Sequence, residues 1–159
     1  MINTNLGANV SVNTANVMKK DVYQKLTEDE KQELLSSLNF IGTHFERFVI
    51  SFYEGYLHPQ TVEFIRGNSK ESLINMFSSA FNLIVSSIEQ PIPLGEYTDI
   101  LKEKHPKFKY FMMNKDLFVK GFMNALINSL KSNYNERIGM LWYKAVSNFT
   151  ISMYSLLKN

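Results

Sequence analysis

The chain has 159 residues, a formal net charge of +2 and no cysteine. The lack of cysteine excludes disulfides, thiolate ligands and thiol nucleophiles, and the 17 basic and 15 acidic residues form no basic block for nucleic acid. No apolar run approaches the ~20 residues that cross a bilayer, and the polar start lacks the pattern of a signal peptide. We expect one domain in a soluble, cytoplasmic protein without nucleic-acid or membrane partners.

The Asn-, Thr- and Ser-rich start predicts a flexible N-terminal segment over residues 1–16, followed by a single domain over 17–159. "TEDE" at 27–30 has the pattern of a capping box and predicts a helix that carries Leu34, Leu35 and Leu38 inward.

The next helix is predicted to start at Thr43 or His44. Its apolar residues follow at spacings of three and four, namely Phe45, Phe48, Val49, Phe52, Tyr53 and Tyr56. "HP" at 58–59 predicts a break and a short helical turn, and "GNSKE" at 67–71 predicts a second break with a cap at Asn68.

A helix is predicted from about residue 69 to 88, with two neighbouring apolar stripes. One stripe consists of Leu73, Phe77, Ala80, Ile84 and Ile88, and the other of Ile74, Phe81 and Val85. Such a wide apolar surface indicates that other elements cover the helix on more than one side.

"QPIPLG" at 90–95 predicts a loop before a short helix over 96–104 that ends at His105, because Pro106 follows. After the linker "PKFKYFMM", helices are predicted over about 115–131 and 135–157. The last of these helices has seven apolar residues on one face, namely Ile138, Leu141, Trp142, Ala145, Phe149, Met153 and Leu156. Six or seven helices without strands predict an all-α fold, either a bundle or a layered packing.

Taken in order, these segments resemble the globin superfamily, in particular bacterial haemoglobins and globin sensor domains. "FVISFYEGYLHPQTVEFI" at 48–65 is similar to the second globin helix and the Pro-started third, and "LKEKHPKF" at 101–108 to the end of the F helix. "FVKGFMNALINSL" at 118–130 and "IGMLWYKAVSNFTISMY" at 138–154 are similar to the G and H helices. The resemblance spans residues 27–157 and implies a globin-like fold of six to seven helices in a layered packing.

The resemblance also implies a haem site, with His105 as the proximal ligand of the iron. Leu101, one turn earlier, would pack under the porphyrin, and Tyr53 falls where bacterial globins often place a distal hydrogen-bond donor. Phe64 or Ile65 falls at the ring-packing position. Ser69 falls at the distal polar position and Leu73 one turn further on.

On this basis we expect a haem protein that reversibly binds or senses a diatomic gas, O2 or NO. No enzymatic turnover is expected, and detoxification of NO would need a separate reductase. Globin sensors often dimerise, so a homodimer is expected as well.

Ser69 differs from the His or Gln usual at the distal position, which leaves a second reading open. Some haemless globin-fold sensors hold a fatty acid in a hydrophobic tunnel, meet its carboxylate with an arginine, and act through partners such as a sensor kinase. Arg47, Arg66 and Arg137 are the candidate arginines, and are otherwise surface charges. A ligand-free helical interaction module is a third reading, and its signature would be an exposed stripe of Ile74, Phe81 and Val85.

Overall fold

The computed structural model describes residues 23–56, 65–90, 92–105, 108 and 114–158. This part of the chain contains six α-helices and one 3-10 turn, and no strand. In chain order the elements are α1 (Glu28–Thr43), α2 (Phe45–Gly55), α3 (Lys70–Glu89), α4 (Leu94–Lys104), α5 (Lys115–Leu130), the 3-10 turn (Lys131–Asn133) and α6 (Glu136–Lys158). The predicted all-α class with layered helix packing is confirmed and is consistent with a globin-like fold. The segment 1–16 and the turn at 58–59 lie outside the described residues.

The start of α1 is the predicted capping box. The Thr27 hydroxyl accepts a hydrogen bond from the backbone N–H of Glu30 at 3.1 Å, and the Glu30 carboxylate accepts one from the N–H of Thr27 at 2.9 Å. The two bonds satisfy backbone donors that lack partners in a first helical turn. Of the three leucines predicted to face inward, Leu34 is fully buried, whereas Leu35 and Leu38 are half-buried.

Helices α2 and α5 form the most extensive helix pair, and two glycines allow their close approach. A Cβ added at Gly121 would lie 2.8 Å from the carbonyl oxygen of Phe52. A Cβ added at Gly55 would lie 2.7 Å from the Cβ of Asn124, whose side-chain amide donates to the carbonyl of Ser51 at 2.8 Å. The two backbones therefore approach more closely than larger residues at these positions would permit.

The core consists of aromatic rings from four helices. The Phe52 ring of α2 lies 4.5 Å from Phe77 of α3 and 5.0 Å from Phe118 of α5, measured between centroids. The Phe122 ring of α5 lies 5.5 Å from the indole of Trp142 in α6. All five side chains are fully buried. Much of the aromatic surplus in the sequence is thus used in a packed core, where such pairs contribute beyond the area they bury.

Helix α6 contacts α1 through polar side chains. The Lys144 ammonium lies 3.2 Å from the Glu30 carboxylate, and the Arg137 guanidinium makes two bonds to Glu33 at 3.0 and 2.6 Å. The Arg137–Glu33 pair is exposed, so we expect it to contribute to the register of the two helices more than to stability. The Lys144–Glu30 pair is mostly buried, with side chains 20% and 17% exposed.

The C-terminal half of α6 holds two further segments. The Asn148 side chain accepts from the backbone N–H of Gln24 and donates to its carbonyl, both at 2.7 Å. On α4, the Thr98 hydroxyl lies 3.3 Å from the Met153 sulfur and 2.7 Å from the Leu94 carbonyl oxygen. Both the segment before α1 and helix α4 are therefore anchored on α6.

Four predicted boundaries shift by one or two residues. The cap of α3 is Ser69 rather than Asn68, because the Ser69 hydroxyl accepts from the backbone N–H of Ser72 at 3.1 Å. Helix α4 begins at Leu94, so the predicted loop over 90–95 is shorter and the helix longer by two residues. Helix α5 ends at Leu130 and α6 begins at Glu136, each one residue from the prediction.

One predicted face also differs in detail. Leu156 is 37% exposed, and the adjacent Leu157 is buried in its place. The i+3 and i+4 positions after Met153 both lie near its face of the helix, and packing selects the i+4 residue. The remaining predicted residues of this face are buried or half-buried.

The first predicted stripe of α3 is confirmed, because all five of its residues are buried. The second is not an exposed stripe: Phe81 is buried with its ring 6.2 Å from that of Phe122, while Ile74 and Val85 are half-buried. The signature of a ligand-free interaction module is therefore absent from this face of α3.

Candidate functional site

The residues expected around a haem lie on α2, α3 and α4. Tyr53 is on α2, Leu73 is in the first turn of α3, Leu101 is in the last turn of α4, and His105 directly follows α4. Ser69 caps α3 and Ile65 precedes it, whereas Phe64 lies outside the described residues. The described residues therefore allow six of the seven positions to be examined.

Tyr53 is a buried tyrosine whose hydroxyl faces α3. Its side chain is 8% exposed, and its hydroxyl donates to the carbonyl of Leu73 at 2.8 Å. Burial, together with the neighbouring Tyr56, raises the pKa of Tyr53 well above its ordinary value of 10.0. The phenol therefore keeps its proton throughout the physiological range and remains a hydrogen-bond donor in apolar surroundings.

Ser69, the residue expected at a distal polar position, has a structural role. Ser69 is exposed, and its hydroxyl is engaged by the N–H of Ser72 as the cap of α3. Leu73 is buried, and Ile65 is half-buried against the core. Around Tyr53 the structure therefore brings Leu73 into direct contact, whereas Ser69 lies at the surface end of the same helix.

His105 lies where the chain leaves α4. Its backbone N–H donates to the carbonyl of Leu101 at 2.7 Å, and its own carbonyl accepts from Phe108 at 2.8 Å. The half-buried imidazole turns toward α3, with Nε2 3.4 Å from the hydroxyl oxygen of Ser79. The predicted helix end at His105 is confirmed, and the imidazole contacts another helix as well as solvent.

The surroundings of His105 favour the neutral imidazole. Burial lowers its pKa from the ordinary value of 6.5, and the positive charge of Lys104 lowers it further. A neutral imidazole has one nitrogen lone pair available to a metal or a hydrogen-bond donor. Leu101, one turn earlier, is 6% exposed and provides an apolar neighbour.

Tyr53 and His105 both contact α3, but at different points. Tyr53 bonds to the backbone at Leu73, and His105 contacts the side chain of Ser79. Six residues of helix separate these two points, or about 9 Å along the axis. Sequence reasoning missed Ser79 because no motif marks it, and its contact with His105 depends on how α4 docks.

A cleft of about 260 Å³ lies between the start of α1 and helix α6, away from these residues. Glu30, Arg137 and Lys144 contribute to its walls, and both basic groups are paired with α1 carboxylates. Arg137, one candidate partner for a fatty-acid carboxylate, is thus already held by Glu33 in a bidentate pair. A lipid head group at Arg137 would have to compete with that carboxylate.

Two of these side chains have the chemistry that a haem site uses. Haem iron needs one axial donor beyond the porphyrin nitrogens, and a neutral imidazole beside an apolar neighbour meets that need. Tyr53 on α2 is a protonated, buried phenol and so a hydrogen-bond donor, and in this structure it donates to the Leu73 carbonyl. Within the described ranges no three His, Cys, Asp or Glu side chains group as a metal cluster, and a haem site requires none.

Comparisons with protein-family models, curated proteins and solved structures gave no match. Among the described helices, none has both the length and the apolar character needed to cross a membrane.

Proposed function

We propose that this chain is a haem-binding globin that reversibly binds or senses a diatomic gas, O2 or NO, without turning over a substrate. The observation that carries the proposal is the placement of His105, a half-buried imidazole that leaves the end of α4 and turns toward α3. A histidine at a helix end usually points to solvent, so a half-buried imidazole that contacts a second helix and has a lowered pKa suits a ligand.

His105 would hold the iron through a ring nitrogen of its neutral imidazole. The backbone of His105 is bonded on both sides, to Leu101 and to Phe108, which fixes the position of its Cα. Leu101 would supply an apolar contact next to the axial donor. When bound, haem supplies the iron that takes up the gas.

Tyr53 would supply a hydrogen bond on the gas-binding side. Its pKa is raised by burial, so the phenol stays protonated and can donate. A donor in an apolar pocket favours O2 over CO, because bound O2 carries more negative charge. The phenol would exchange its present bond to the Leu73 carbonyl for a bond to the gas.

The test is a haemin titration of the purified protein, followed by visible absorption. We expect a strong Soret band that shifts after dithionite and CO, and that is lost in the variant His105→Ala. His44→Ala is the matched control, because His44 is an exposed histidine between α1 and α2. A weak, broad band that is the same in the wild type and in His105→Ala would overturn the proposal.

The same experiment leads on to the haemless alternative. A protein that stays colourless would then be extracted with organic solvent and its extract examined by mass spectrometry. A stoichiometric fatty acid would favour a haemless sensor globin that acts through protein partners. Its absence would remove that alternative too.

A further inference from the structure

Ser79 lies in the middle of α3, half-buried, and its hydroxyl meets two groups. It lies 3.0 Å from the carbonyl oxygen of Asn75 and 3.4 Å from Nε2 of His105. A hydroxyl has one proton, so two arrangements are open. Either Ser79 donates to Asn75 and accepts from an Nε2–H, or it donates to the lone pair of Nε2. In both, Nε2 is engaged with α3.

Nε2 is the ring nitrogen that an iron would reach more easily, because Nδ1 lies next to Cβ and is crowded by the backbone of His105. In the first arrangement Nε2 carries a proton, and in the second its lone pair is occupied. Ligation through Nε2 requires that the atom be free of a proton and face the iron. The contact with Ser79 and a bond from Nε2 to iron therefore exclude each other.

We propose that Ser79 is a positioning residue for His105: it holds the imidazole against α3 in the haem-free protein, and haem must displace it to bind. The inference rests on the proposed function. The backbone of His105 is anchored to Leu101 and Phe108. Displacement would therefore move the His105 side chain and change how closely α4 approaches α3. Ser79 thereby sets how readily the haem-free chain accepts the group.

The variant Ser79→Ala removes the hydroxyl and leaves the apolar side of α3 unchanged. We expect it to bind haemin about 2- to 10-fold more tightly than the wild type, the range that corresponds to one net hydrogen bond. Ser79→Thr keeps a hydroxyl at the same position and should bind haemin as the wild type does.

Ser87→Ala is the matched control. Ser87 is also half-buried on α3, about two turns beyond Ser79, and its hydroxyl donates to the carbonyl of Ile84 at 2.8 Å. We expect this variant to bind haemin as the wild type does. The free energy of unfolding of Ser87→Ala would also show how much stability is lost when a half-buried serine hydroxyl is removed from α3.

A second readout uses the haem-free protein. The nitrogen chemical shifts of the His105 imidazole report its tautomer and hydrogen bonding, and we expect them to change in Ser79→Ala and not in Ser87→Ala. Unchanged shifts in Ser79→Ala would overturn the inference, because a merely structural serine would not move them.

The outcomes separate the inference from the function it rests on. Equal haemin affinities for the wild type and Ser79→Ala, with a Soret band in both, would overturn the role of Ser79 alone. If no variant gives a Soret band that depends on His105, the proposed function fails, and the displacement step fails with it. A gain in affinity confined to Ser79→Ala, together with the shift change, would support the inference.

Discussion

Trp142 of α6 donates its indole N–H to the hydroxyl of Ser37 in α1 at 2.8 Å, and both side chains are buried. Ser37 in turn donates to the carbonyl of Leu34 at 2.6 Å. The chain's one tryptophan is thereby tied to the backbone of α1, while its ring packs against Phe122. Trp142 thus joins the buried hydrogen bond between α1 and α6 to the aromatic core.

Replacing Ser37 by alanine should destabilise the protein by about 1–3 kcal/mol, because it leaves the buried indole N–H without its acceptor. Urea unfolding followed by tryptophan fluorescence measures this directly, since Trp142 is the only tryptophan. Ser36→Ala is the control: Ser36 is exposed on the same helix and should change stability by less than about 0.5 kcal/mol. Equal stability of the two variants would contradict the prediction.

Gly121→Ala should lower stability by about 1–3 kcal/mol, because the added methyl group would press on the backbone of Phe52 and separate α2 from α5. Thermal unfolding gives the measurement. Gly42→Ala is the matched control: Gly42 is also helical, and a Cβ there meets nothing within 4 Å. This control should be neutral or more stable by up to about 1 kcal/mol. A Gly121→Ala protein as stable as the wild type would show that the helix pair tolerates a wider spacing.

The capping box at Glu30 predicts a loss of stability in acid. The bond from the backbone of Thr27 lowers the pKa of Glu30 below its ordinary value of 4.5, Lys144 lowers it further, and partial burial opposes both. Because the folded-state pKa lies below the unfolded one, the unfolded chain takes up the proton first. The stabilisation is complete above pH 4.5 and is lost as the pH falls through the lowered pKa.

Glu30→Gln should therefore reduce stability at neutral pH and flatten its dependence on pH below 4.5. Denaturant unfolding at a series of pH values measures both effects. Glu28→Gln is the control for removal of a charge, since the Glu28 side chain lies in the same helical turn and is 84% exposed, and it should reduce stability at neutral pH less than Glu30→Gln does. If the dependence of stability on pH is unchanged in Glu30→Gln, the loss of stability in acid comes from other carboxylates.

Tyr53→Phe should raise the O2 dissociation rate of the haem-loaded protein several-fold and leave CO dissociation nearly unchanged. The reason is that only the O2 complex gains from a hydrogen-bond donor. Stopped-flow mixing or flash photolysis supplies both rates, and Tyr97→Phe, at an exposed position on α4, serves as the control. An O2 rate that does not change would remove Tyr53 from the distal role.

The same substitution has a consequence without haem. Tyr53→Phe loses the hydrogen bond to the Leu73 carbonyl, at a cost of about 1 kcal/mol in the free energy of unfolding. The O2 dissociation rate tests the distal role of Tyr53, and the free energy of unfolding tests its hydrogen bond to Leu73. A destabilised variant with an unchanged O2 rate would therefore support the hydrogen bond and reject the distal role.

The existence and order of the helices could be predicted because local patterns determine them. The Thr27–Glu30 box begins α1, and the period of three and four residues marks the buried faces of α2 and α3. Ends that depend on packing could not be fixed this way. The choice between Leu156 and Leu157 is one such case, because both positions suit an α-helical stripe.

The candidate site was predictable only in part. The end of α4 at His105 follows from Pro106, a local signal. The partners of the functional side chains do not follow from local signals. Tyr53 finds a backbone carbonyl twenty residues away, and His105 finds a serine twenty-six residues away. Such pairs exist only once the helices have docked, and serine and leucine are too common to be marked by a motif.

The close approach of α2 and α5 at Gly55 and Gly121 has a mechanical consequence. Two helices in such contact cannot slide or rotate past each other without steric overlap, so they behave as one rigid body. Helix α4, by contrast, rests chiefly on α6 through contacts such as that of Thr98 with Met153. We therefore expect α4 to move relative to α2 and α5 more readily than α2 and α5 move relative to each other.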